Sequence, residues 1–131
     1  MSDSQSEDID DIREEKREEL EAKLGSPDEP VHVDSRDHLS EVVDSSTVVL
    51  VDFYADWCGP CKMVEPIVAG LAAETVATVA KVDVDVHQDI ASEFGVQGVP
   101  TLVLFADGEQ VEEMVGVQDE DTLAGLVEQY A

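Results

Sequence analysis

The sequence predicts an α/β fold of three layers, with helices on both faces of a central, mixed, five-stranded sheet. Three observations predict it. From residue 31 onward, β-branched runs alternate with stretches of helical periodicity in the order β-α-β-α-β-α-β-β-α. The run Val48–Tyr54 is apolar at nearly every position, as in a central strand buried on both faces. The pair Asp107-Gly108 forms a tight turn between the last two strand candidates, which makes one sheet edge antiparallel.

The elements follow in order. Residues 1–8 are polar and are expected to be disordered. Between Ile9 and Leu24, the residues Ile9, Ile12, Leu20 and Leu24 recur at helical spacing, with Lys16 in the gap. Glu14–Arg17 and Glu19–Lys23 support a helix there, while Glu14–Glu18 and Glu15–Glu19 oppose it. Such a helix is marginal alone. It reads either as a fraying, solubilising arm or as a segment that docks on the body or on a partner. Gly25-Ser26-Pro27 ends it and Pro30 opens the compact part, so the chain divides into an extension over 1–30 and a domain over 31–131.

Val31–Val33 is a short strand candidate, and Asp37–Val43 a helix with Ser35 as a possible cap. Val48–Tyr54 is the central strand. Gly59–Glu74 is helical, with Pro66 expected to kink it. Val76–Val84 is the next strand, His87–Phe94 a short helix and Thr101–Ala106 another central strand. Glu109–Val115 alternates as an antiparallel edge strand does. Asp119–Gln129 closes the chain as an amphipathic helix presenting Leu123, Leu126 and Val127.

Charge narrows the partners. The 131 residues carry 32 acids and 7 bases, a net charge of −25. The first 30 residues hold 12 acids and 4 bases, and the remaining 101 hold 20 acids and only Arg36, Lys62 and Lys81. The acidity therefore belongs to the folded body as well as to the extension. Such a body repels itself at low ionic strength, and screening relieves it. The acid-rich, lysine-poor balance resembles proteins of salt-in halophiles, with an acidic mesophilic protein as the alternative. Nucleic acid and anionic membrane are disfavoured partners, because three scattered cations build no basic patch. The absence of a long apolar span and of an N-terminal signal region leads to the expectation of a cytoplasmic protein, and with no second apolar surface obvious a small monomer is the default.

The chemistry is concentrated in two cysteines, Cys58 and Cys61, in the run Trp57-Cys58-Gly59-Pro60-Cys61-Lys62. A strand that delivers a C-x-x-C to a helix start is the arrangement of a reactive, reversible dithiol. The rivals are weak. A zinc site needs two more ligands, and the chain offers only His32, His38 and His87, without ligand-like spacing. A structural disulfide that closes a two-residue loop removes little unfolded-state entropy. Asp83, Asp85 and Asp89 invite a calcium reading but lack the glycine-bearing loop of such a site, so a solvated acidic face is preferred.

From Val31 to its end, the chain resembles the thioredoxin family. The resemblance rests on Val51-Asp52-Phe53-Tyr54-Ala55-Asp56-Trp57-Cys58-Gly59-Pro60-Cys61-Lys62, Pro66, Lys81-Val82-Asp83-Val84-Asp85, Gly95-Val96-Gln97-Gly98-Val99-Pro100-Thr101, Gly108 and Gly116. Tyr54 departs from it, since tryptophan often stands there. The resemblance implies a thioredoxin fold and a protein-disulfide reductase that holds no bound cofactor. Its electrons would come from NADPH through a flavoprotein thioredoxin reductase, and its substrates would be disulfide-containing client proteins.

In that scheme Cys58, at the helix N-terminus where unpaired N–H groups favour a thiolate, is the nucleophile. Cys61, one turn inward and more sheltered, resolves the mixed disulfide. Asp52 interrupts an apolar strand, and burial would raise its pKa and suit it to accept the proton of Cys61. The family gives its buried acid this role, and Lys81 matches the lysine expected near it. Asp52 at a solvent-facing strand end is the plainer reading. Lys62 favours a thiolate at Cys58 and Asp56 opposes it, with no net shift assigned.

Trp57, Gly59, Pro60, Gly98, Val99 and Gly116 would form a mildly apolar docking patch, and Trp57 as a core aromatic is the alternative. Pro100 would be cis, in a loop packed on the dithiol, with the Val99 backbone pairing a bound peptide. Two other functions stay open: an oxidase or isomerase of the same fold, against which Gly59-Pro60 argues, and a binding subunit that does not use its thiols.

Overall fold

The structure is a computed structural model, and it describes residues 27–131. The expectations for the extension, including the helix over Ile9–Leu24, lie outside the described residues. Nine elements follow Pro30 in the expected order: β1 (Val31–His32), α1 (Arg36–Asp44), β2 (Val48–Tyr54), α2 (Gly59–Glu74), β3 (Thr78–Asp83), α3 (Gln88–Glu93), β4 (Thr101–Ala106), β5 (Glu109–Val115) and α4 (Glu120–Tyr130).

The strands form one five-stranded sheet in the order β1-β3-β2-β4-β5. β3 runs parallel to both β1 and β2, whereas β4 is antiparallel to β2 and to β5. The sheet is therefore mixed. Asp107 and Gly108 both take positive φ, 52° and 84°, as a type I′ turn between β4 and β5 requires.

Local chemistry sets the element ends. Ser35 caps α1, its Oγ accepting the His38 N–H at 3.0 Å, and Asp119 caps α4 by accepting from Thr122 N–H at 2.7 Å. β3 starts at Thr78, two residues later than the sequence suggests, because Thr75 turns the chain. Its hydroxyl donates to Leu71 O at 2.6 Å and accepts from Ala77 N–H at 3.2 Å. β3 ends at Asp83, whose carboxylate turns back to accept from the Asp85 N–H at 2.9 Å. α2 continues through Pro66 as a single 16-residue element.

Strand periodicity divides β2 between two cores. Val49, Val51 and Phe53 point to one face, where they meet Leu39, Val42 and Val43 of α1 and Ile90 of α3. Phe94 completes that cluster, its ring 5.6 Å from Phe53 and 5.9 Å from Phe105. Val48 and Leu50 point to the other face and pack on Val64, Val68 and Leu71 of α2 and on Leu123 and Val127 of α4. Fully burying such a side chain contributes roughly 1.5–3 kcal/mol. By the same alternation Asp52 lies on the α2 face, and so does Lys81, which follows Val79 on that side of β3.

Candidate active site

β2 carries the chain to Tyr54, and a turn over Ala55–Trp57 places Cys58 as the N-cap of α2. The backbone of Cys58 is extended (φ −88°, ψ 113°), so its side chain folds over the open end of the helix. There the sulfur accepts the Cys61 N–H at 3.1 Å. Gly59 and Pro60 form the first turn of the helix, where the missing proline N–H costs nothing.

Cys58 and Cys61 are joined as a disulfide, with their Cα atoms 5.3 Å apart. Both are buried, at 4% and 2% exposure, so the difference in shelter expected from the sequence is small in this oxidised state. What separates them is position. Cys58 Sγ is at the helix tip, 3.6 Å from Val99 O, whereas Cys61 is inside the first turn of α2.

The segment before β4 closes over the pair. The Val99–Pro100 peptide bond is cis, and Val99 packs with Ala55, Cys58 and Cys61. Thr101 Oγ1 donates to Gly98 O at 2.6 Å and Gly116 N–H donates to Pro100 O at 2.8 Å. Gly116 takes φ 94°, a conformation that disfavours any side chain. These bonds bring Gly98, Val99, Pro100 and Gly116 to one side of the sulfurs.

Trp57, directly before Cys58, is 72% exposed, with its indole N–H donating to Asp85 Oδ2 at 2.9 Å. It is a surface residue, which removes the core-aromatic alternative. Gly59, Pro60 and Gly98 are exposed, Val99 and Gly116 half-buried, and Pro100 buried. Met63 and Val86 are also largely exposed.

Asp52 lies on the sheet face covered by α2, the helix that carries the cysteines. It has no solvent exposure, and neither carboxylate oxygen has a hydrogen-bond partner. The solvent-facing alternative is thereby excluded. Burial pushes its pKa up to about 6, against a lowering by Lys81 and with a further push from Glu65. Lys81 is directly across from Asp52 in the β2–β3 register. Its ammonium, however, lies 3.6 Å from Glu65 Oε1 and 4.4 Å from the centre of the Tyr54 ring.

Glu65, and the bond of Asp85 to the Trp57 indole, escape the sequence reading. Glu65 carries a readable signal, since it is one helical turn beyond Cys61 and so shares its side of α2. Asp85 belongs to the run that carries the family resemblance, but nothing in the pattern marks it as the partner of Trp57. Asp83 belongs to a backbone turn, and among the described residues no group of three or more His, Cys, Asp or Glu could hold a metal ion. Lys62 and Asp56 are both exposed.

The arrangement can shuttle between a dithiol and a disulfide: one sulfur at a helix tip, a second behind it, and a buried carboxyl whose pKa burial pushes up to about 6.

Known proteins agree with this geometry. The family model described as thioredoxin matches residues 29–129. The chain is 45% identical over 101 residues to the thioredoxin of Chlamydia muridarum, covering 76% of this chain and 98% of that protein. It is 42% identical over 92 residues to thioredoxin 1 of Synechococcus elongatus, with 69% and 86% covered. Among solved structures, a mutant thioredoxin from Halobacterium salinarum NRC-1 superposes with a TM-score of 0.78 at 63% identity, covering 80% of this chain and 93% of that one. Oxidised mitochondrial thioredoxin 3 of Saccharomyces cerevisiae gives a TM-score of 0.69 at 30% identity, with 76% and 94% covered.

Proposed function

The chain belongs to the thioredoxin family and is a dithiol–disulfide oxidoreductase of that type, and from that premise we propose that it works as a general protein-disulfide reductase. The observation that carries the proposal is the Cys58–Cys61 pair at the N-cap of α2, with an unpartnered Asp52 buried on the sheet face that this helix covers.

In the reduced enzyme, the Cys61 N–H and the other open N–H groups of the helix end stabilise a thiolate on Cys58. That thiolate attacks one sulfur of a client disulfide. A mixed disulfide forms and the client's other sulfur leaves as a thiolate. Asp52 accepts the Cys61 proton, and the Cys61 sulfur attacks Cys58, expelling the second client sulfur. Two electrons pass to the client and the enzyme is left as the Cys58–Cys61 disulfide. Lys81 tunes the proton affinity of Asp52. Trp57, Gly59, Pro60, Gly98, Val99, Pro100 and Gly116 receive the client, with the Val99 backbone pairing its extended chain.

The enzyme is recharged by NADPH through a flavoprotein thioredoxin reductase, and the domain needs no bound cofactor of its own. Residues 1–30 are an acidic extension outside the catalytic domain, a division supported by the family match from residue 29 and the first strand at Val31. The source is a halophilic archaeon, supported by the charge of −25 and by 63% identity to the Halobacterium protein. The enzyme acts in the cytoplasm as a monomer. No helix among the described residues is long and apolar enough to cross a membrane.

Insulin-disulfide reduction by dithiothreitol, followed across a salt series, tests the proposal. Acceleration that grows with salt supports a reductase adapted to high salt. No acceleration at any salt overturns it and favours a binding role, which a Cys58→Ser/Cys61→Ser protein would retain.

A further inference from the structure

The ammonium of Lys81 is not where a simple Asp52–Lys81 ion pair would put it. The two residues are register partners on adjacent parallel strands and point to the same face of the sheet. Lys81 Nζ nevertheless sits 3.6 Å from Glu65 Oε1 and over the Tyr54 ring at 4.4 Å, while both Asp52 oxygens stay unpartnered. Lys81 is nearly buried, its side chain 8% exposed, and the Glu65 carboxylate reaches it from α2 with 57% exposure. Glu65 thus holds an ammonium that the strand register places across from Asp52.

We propose that Glu65 is a positioning residue for the resolving step: it withholds the Lys81 ammonium from Asp52 and so keeps that carboxyl a competent acceptor for the Cys61 proton. The inference rests on the reading of Asp52 as that acceptor. The charged groups that act on the carboxyl are Lys81 from β3 and Glu65 from α2, and Tyr54 lies two residues on along the same face of β2. β4 contributes the uncharged Leu102 opposite Asp52. Burial is the main cause that raises the proton affinity of Asp52, Lys81 opposes it, and Glu65 adds to it through its charge. Removing the Glu65 charge therefore acts twice in one direction. It takes away a negative neighbour and frees the ammonium to approach Asp52, and both make the carboxyl a weaker base.

The test uses the full chain, reduced, in the wild-type, Glu65→Gln, Glu65→Asp and Asp52→Asn forms. Each is mixed with dithiobis-nitrobenzoate. Attack by Cys58 releases the first nitrothiolate, and resolution by Cys61 releases the second. The Asp52 carboxyl is titrated in parallel by carbon NMR. Glu65→Gln is expected to lower the Asp52 midpoint by about one pH unit and to slow the second release about threefold, with the first unchanged. Glu65→Asp is expected to restore most of both. If Glu65→Gln moves neither quantity while Asp52→Asn slows the second release, the role of Glu65 is overturned alone. If Asp52→Asn leaves the second release unchanged, the underlying assignment of Asp52 fails instead.

Discussion

On the face of the sheet covered by α1 and α3, β2 buries Val49, Val51 and Phe53 in an aliphatic and aromatic cluster closed by Phe94 and Phe105. On the face covered by α2 and α4, the same strand buries Val48 and Leu50 and then Asp52, with Lys81 beside it. One face holds the sheet together. The other spends part of its packing on a buried carboxyl because the helix above it carries the cysteines. A residue's side of β2, set by alternation alone, thus decides whether it serves stability or chemistry. Asp52 could not act from either neighbouring position, since Val51 and Phe53 point away from α2.

The largest effect that would break this division is on catalysis. Cys58→Ser is expected to reduce insulin-disulfide turnover to the uncatalysed background, while Cys61→Ser accumulates a mixed disulfide visible by mass spectrometry. Turnover surviving in Cys58→Ser would separate the chemistry from this face altogether. Phe53→Ala, on the apolar face, is expected to lower unfolding free energy by about 3–5 kcal/mol in denaturant titrations. The thiol titration of the folded fraction should not change.

Asp52→Asn acts in the opposite sense on stability. Its folded pKa of about 6 exceeds the ordinary 3.8, so the native state binds more protons than the unfolded chain between those values. Wild-type stability therefore falls as pH rises through that window and levels off above it. At pH 8 the asparagine variant is expected to be more stable by on the order of 3 kcal/mol, and near pH 3 to show almost no such gain. A variant destabilised at pH 8 would show that Asp52 has a partner and is not held at a loss. The smallest effect belongs to the rim. Trp57→Ala removes the bond to Asp85 and an exposed ring. It should weaken client affinity, read as a higher KM, while changing stability by less than about 1 kcal/mol.

The sheet is legible in the sequence because its strands are β-branched runs with clear punctuation. β2, β4, β5 and α2 begin and end at their expected residues. β3 is shorter than its apolar run suggests, since Thr75 and Asp83 use their side chains to turn the backbone, a competition that hydropathy does not register. The cysteines and Asp52 are legible for a related reason: each breaks a local pattern. Glu65 breaks none. Its one sequence signal is a place one helical turn beyond Cys61, and only three-dimensional proximity to Lys81 distinguishes it from the other carboxylates of so acidic a chain. The similar exposure of Cys58 and Cys61 is likewise a property of packing under Val99, which spacing along the chain does not carry.

The central claim is that Cys58 at the tip of α2 is the ionised sulfur and Cys61 the reserve. Alkylation of the reduced protein by iodoacetamide as a function of pH, with peptide mapping of the modified sulfur, addresses it directly. The account predicts that Cys58 is modified first, at pH values below the range of free cysteine, and that Cys61 follows only at higher pH. Modification of Cys61 first, or of both sulfurs with the profile of free cysteine, would contradict it.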